Sequence, residues 1–269
     1  MLSRVLICLL ALIPATLCAH EFWIEPQAYQ IESGEVLQAD FKNGEEFRGT
    51  SLAYFDRGSA RFELYANSKR VALTPRSGDR PALDVPAPIG NGLVVIAHET
   101  TPSRLTYREW AKFMRFAEHK DFPSAAATHR ANGWSESQFR ERYTRHVKAL
   151  IAVGNGTGAD VNFGMRTEFI ALTNPYAPDF AQQMKVRLLM DGQPRSNAQI
   201  EVFARAPDGS VSISLFRTNS RGEARIPVDR GQAYLFDAVV LQPAPEATRE
   251  AGALVWETYW AALTFAVPE

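Results

Sequence analysis

Val36-Leu37-Gln38-Ala39-Asp40-Phe41 alternates apolar with polar side chains and runs on to Asn43-Gly44, a pair that favours tight turns. An apolar period of two means that one face is buried and the other wet, so the stretch predicts an antiparallel strand. The same pattern returns at Arg61-Phe62-Glu63-Leu64-Tyr65. Gly92-Leu-Val-Val-Ile-Ala-His98 is apolar throughout, which predicts a strand buried on both sides with His98 at its exit.

Between these strands and the second half of the chain the period changes. Thr106 with Glu109 has the spacing of a capping box, followed by Trp110, Phe113, Met114 and Ala117 on one helical face. Ser135 with Gln138 repeats that spacing, with Trp134 and Phe139 placed as a hydrophobic staple. The second helix predicted there carries Phe139, Tyr143, His146, Val147 and Leu150 inward, and Arg140, Glu141, Arg145 and Lys148 elsewhere.

Gly154-Asn-Gly-Thr-Gly158 reads as a flexible break and a domain boundary. Beyond it Val186-Arg-Leu-Leu-Met190, Ile200-Glu-Val-Phe203, Val211 to Phe216 and Arg225-Ile226 alternate around turns at Asp191-Gly192 and Asp208-Gly209, the spacing of a small β-sandwich. Trp256 to Val267 completes it as a long last strand, whose aromatic residues predict core packing ahead of a sugar-binding groove. The expected fold is therefore mainly β: two β-sandwich-like domains, residues 20–153 and 159–269, with an inserted helical pair near 106–152.

The amino terminus reads as a secretory signal over residues 1–19. Arg4 supplies the positive region, Val5 to Leu12 the apolar run, Pro14 the break, and Ala19 the small residue at the cut. That run is well short of the roughly 20 residues needed to cross a bilayer, so no spanning helix is expected. Cleavage at Cys18, as in a lipoprotein, is disfavoured by Leu17, which is not small. Both cysteines, Cys8 and Cys18, leave with the signal, and stability then rests on burial without disulfides. With 29 basic and 30 acidic residues and no basic block, the chain predicts neither nucleic-acid nor anionic-membrane binding.

Cutting after Ala19 makes His20 the first residue, which gives one residue two donors: the α-amine and the imidazole Nδ1 can close a chelate ring on one metal. The amine titrates near pH 8, so a metal can displace its proton at neutral pH. A second histidine would favour copper, and added carboxylate or water would favour nickel or cobalt. His98 and His146 are the candidate partners, although a strand-exit or inward-facing histidine is commonly a satisfied core residue. His119 and His129 lie in polar stretches expected to be exposed. Glu21 and Glu25 flank the terminus as candidate oxygen ligands. The chain has no phosphate loop, no His-Glu-x-x-His and no nucleophile elbow.

Ala19-His20-Glu21-Phe22-Trp23-Ile24-Glu25-Pro26, Phe41-Lys-Asn-Gly-Glu-Glu-Phe47, Thr101-Pro102-Ser103, Arg140-Glu-Arg-Tyr-Thr-Arg-His-Val-Lys148, Thr167-Glu168-Phe169 with Asn174-Pro175, Asp191-Gly192-Gln193-Pro194, and Trp256 to Val267 together resemble a family of bacterial exported proteins. The family is built on a domain of unknown function, DUF4198, and is described as a periplasmic component of nickel or cobalt uptake. The segment from Val186 also resembles immunoglobulin-like or transthyretin-like modules. The resemblance implies a periplasmic metal-handling or uptake accessory protein with His20 as the residue that carries over, nickel or cobalt as cargo, and a membrane transporter or outer-membrane receptor as partner; His98 and His146 stand beside His20 as metal residues on the reading of the residues alone. Two alternatives stand beside it: a copper histidine-brace oxidative enzyme, and a metal-free structural or partner-binding β-sandwich protein.

Overall fold

The computed structural model describes residues 20–88, 90–249 and 254–269. The expected signal segment, residues 1–19, lies outside the described residues. The protein is mainly β, as the alternating patterns require. Its organising element is a ten-stranded sheet in which Val211–Arg217, Gln199–Arg205, Ala233–Pro243, Leu254–Ala266, Phe139–Val153, Gly92–Thr100, Ser59–Ala66 and Lys69–Ala72 follow one another in space. Gln30–Ile31 and Ser103–Tyr107 also pair with the 139–153 strand.

A small sheet covers each face. Glu21–Pro26, Val36–Glu45, Arg48–Leu52 and Leu83–Pro86 pack on one side, where Phe22, Phe41, Val94, Ile96, Val147, Ala149 and Ile151 share a core. Thr167–Ala171, Gln183–Met190, Gln193–Pro194 and Glu223–Pro227 cover the other, over Val95, Leu150, Phe169, Val186, Phe236 and Leu263. The expected two sandwiches thus share one central sheet. Strands from both sides of the 154–158 break meet in it, because the 139–153 strand pairs in parallel with Leu254–Ala266.

The expected pair of helices is present, and the position of its second member is corrected. The helices are α1, Trp110–His119, and α2, Ala125–Ala131, while Phe139–Val153 is a fifteen-residue strand. Thr106 belongs to a strand, and Glu109 at the start of α1 makes no side-chain cap. The 139–153 strand is buried on both faces over much of its length, so alternation between apolar and polar residues is erased. Its long central pairing outweighs a helical stripe that existed only on paper. The two helices form an excursion between paired strands, with Tyr107 opposite Phe139 and Ser103 opposite Tyr143. Phe113, Phe116, Ala117, Phe139, Trp256 and Trp260 form the core beneath this helical cap.

The turn expected at Asn43-Gly44 lies three residues later. Gly44 is inside the strand, where a Cβ would lie 1.9 Å from the Arg48 carbonyl, so the close approach of the partner strand, not a turn, demands glycine. The chain reverses at Glu46 and Phe47, with φ of 52° and 58°. Two such residues in the left-handed region match the twist of a tight hairpin but are costly for a side chain as large as phenylalanine. Burial of Phe47 against Trp23, with ring centroids 5.5 Å apart, offsets that strain.

Candidate functional site

Pairing in the first small sheet builds the site. Glu21 lies opposite Gly44, which places His20 beside Glu45 at the end of the ladder. His20 Nδ1 stands 3.3 Å from Glu45 Oε1. Both side chains are half-exposed, yet these two atoms are shielded from solvent and neither makes a hydrogen bond. Buried polar atoms are ordinarily satisfied, and a cation shared between these two facing atoms would satisfy both. The His20 carbonyl is held by Arg145 Nη2 at 2.7 Å.

His20 stands at the rim of a cavity of about 480 Å³ between the first small sheet, the central sheet and the helical cap. Leu105, Phe116 and Trp260 supply apolar wall, and Arg108, Lys112 and Arg145 supply positive charge. Glu141 lines it too. Its oxygens accept hydrogen bonds from the Tyr107 hydroxyl at 2.9 Å and from the Thr258 hydroxyl. Burial pushes its carboxyl up to about 7, against the pull of those hydroxyls. The Arg145 guanidinium rests near the rings of Phe22, Tyr143 and Trp260, and its Nε is buried without a partner.

The other expected ligands do not join His20. His98 is buried among Phe22, Phe41 and Phe62, with its ring 4.2 Å from that of Phe41 and Nε2 3.0 Å from the Ser59 hydroxyl. Burial lowers its pKa to about 3. His146 is buried on the opposite face of the central sheet, where Nδ1 lies 3.2 Å from the Trp260 carbonyl and Nε2 3.7 Å from Glu99. Burial lowers its pKa to about 4. Side chains that leave a sheet in opposite directions cannot share one ion, so His98 and His146 are separate from each other as ligands.

The two remaining histidines also have partners. His119 meets Glu201 at 2.7 Å, and that hydrogen bond raises its pKa. His129, expected to be exposed, is fully buried: the Trp256 indole donates to Nδ1 and Nε2 meets the Ser135 carbonyl. Its polar sequence neighbours face solvent while its own ring packs on Trp110, Phe139 and Trp134.

Among the described residues, Glu21, Glu201 and Asp237 form the one group of three metal-capable atoms within 4.8 Å of one another. An ammonium already sits there. Lys120 Nζ lies 3.2 Å from Glu21 Oε1 and 3.0 Å from Asp237 Oδ2 and donates to Glu201 as well. Burial alone would lower the Lys120 pKa, but the three carboxylates raise it, so it stays charged and ties the end of α1 to both sheets. Glu25 is likewise engaged, by Arg205 at 2.5 Å and the Trp23 indole at 2.9 Å.

The fold and site define a β-sandwich protein with a capped, cation-lined cavity beside an orphaned imidazole–carboxylate pair. The domain of unknown function DUF4198 matches residues 17–242, and the chain belongs to that family. No curated protein matches it. Among solved structures, it is similar to a tetra-tandem repeat in the extending region of a large adhesion protein, at 9% identity and a TM-score of 0.24. That match covers 91% of this chain and 49% of the other, so the chain spans about half the length of that relative. It is also similar to the D0-D1 domain of intimin, at 12% identity and a TM-score of 0.23, over 90% of this chain and 97% of that one. No helix among the described residues is long and apolar enough to cross a membrane.

Proposed function

We propose that the protein is an exported, periplasmic, non-enzymatic binding protein that captures a divalent transition metal at His20 for uptake, nickel or cobalt ahead of copper. Its partner in uptake would be a membrane transporter or receptor. The observation that carries this reading is the orphaned pair, His20 Nδ1 and Glu45 Oε1, 3.3 Å apart. Once His20 is the first residue, its amine and Nδ1 chelate the ion and Glu45 supplies an oxygen. One imidazole with carboxylate and water suits nickel or cobalt, whereas a copper brace needs a second imidazole. None of His98, His119, His129 and His146 lines the cavity with His20, and each meets another protein group through at least one ring nitrogen, which favours the first over the second.

Equilibrium dialysis of protein whose first residue is verified as His20 by intact mass should retain one equivalent of nickel or cobalt. Glu45→Gln should weaken retention by about 10-fold or more, since even outer-shell changes at metal sites cost about 10- to 100-fold. Copper affinity alone does not discriminate, because copper binds most nitrogen and oxygen sites tightly. The electron paramagnetic resonance of a copper-loaded sample does: coupling to one imidazole fits this reading, and coupling to two supports the brace. Retention of no metal contradicts both.

A further inference from the structure

We infer that the cavity beneath His20 binds a small organic polycarboxylate that completes the ligand shell of the captured metal. This rests on the metal reading of His20. The amine, the imidazole and Glu45 supply three donors, and nickel or cobalt accepts at least four, so at least one coordination position remains open. His20 itself is part of the cavity lining, so a molecule in the cavity can reach an ion held there.

The lining selects the class of molecule. Arg108, Lys112 and Arg145 bring three cationic side chains to one cavity, against the single carboxyl of Glu141. Glu141 is occupied by two hydroxyl donors, and its raised pKa reduces the negative charge it holds near neutral pH. Lys112 also meets Glu109 at 2.9 Å, on a residue outside the lining. The buried, unpartnered Arg145 Nε is a donor awaiting an acceptor, and guanidinium groups pair best with carboxylate. Leu105, Phe116 and Trp260 provide surface for a carbon skeleton, which an inorganic anion lacks, and the space of about 480 Å³ exceeds what such an anion fills. A ligand with one carboxylate on the metal and others on the cations satisfies every one of these features.

The test is equilibrium dialysis of the protein beginning at His20 against labelled citrate, with and without equimolar nickel, reading both species in the same sample. Citrate and nickel should be retained together in equal amounts, and citrate should be lost when nickel is omitted. The double variant Arg108→Gln with Lys112→Gln, altered only at the cavity's outer side, should bind citrate about 10-fold more weakly, the effect of losing one or two charge-assisted contacts. Nickel retained without citrate overturns the inference and leaves the metal reading standing. Citrate retained equally with and without nickel also overturns it, because the two would then not share a shell. Retention of neither overturns both.

Discussion

Two cations three residues apart on the 139–153 strand, Lys148 and Arg145, face opposite sides of the central sheet and are treated in opposite ways. Lys148 is fully buried, and Nζ donates to Asp160, Glu168 and the carbonyls of Val161 and Phe169. Those carboxylates in turn accept the backbone N–H groups of Ala171, Phe163 and Met165. The chain itself answers that charge in full. Arg145 has one carbonyl, that of His20, some ring faces, and a buried Nε left over. A buried charge is expensive unless paired, so a closed network reads as architecture and an open one as capacity for a ligand.

The largest test of that contrast is Lys148→Met. It leaves Asp160 and Glu168 buried without their cation and should cost about 3–5 kcal/mol in urea denaturation. A loss under about 1 kcal/mol would erase the distinction between the two faces. Next comes pH. Glu141 has a folded pKa near 7, above its ordinary 4.5, so the folded state holds its proton more tightly than the unfolded chain does. Its contribution is complete below the unfolded value and is lost as pH rises through 7. Glu141→Gln should therefore gain stability relative to the wild type between pH 5 and pH 8, by up to about 3 kcal/mol. Parallel curves for the two proteins would mean that the carboxyl is solvated. The smallest effect belongs to Arg145→Met, which strands no carboxylate and should cost about 1 kcal/mol in the same denaturation assay. A cost equal to that of Lys148→Met would make Arg145 architectural as well.

Much of the fold is legible because period-two alternation survives where one face of a strand is wet and the other buried, as at Arg61 to Tyr65. It fails where both faces are buried. Phe139 to Val153 lost its alternation, and the Ser135–Gln138 spacing then imitated a helix start. The same imitation conceals much of the site, since a helix would send Glu141 and Arg145 away from the core while the strand turns both into the cavity. His20 was visible from its position after the expected cut. Glu45 was not, because its nearness depends on the Glu21–Gly44 register and on a hairpin that reverses at Glu46-Phe47 instead of Asn43-Gly44. The Phe41 to Phe47 motif held the residue but not its geometry.

The central claim is that the amine and imidazole of His20 act together on one ion, and nickel affinity tests it most directly. Calorimetry should compare protein beginning at His20 with protein that carries one methionine before it. The extension preserves the imidazole, Glu45 and the cavity but turns the amine into an amide. The amino-terminal chelate predicts that affinity falls by at least about 10- to 100-fold. Equal affinity for the two proteins would contradict it.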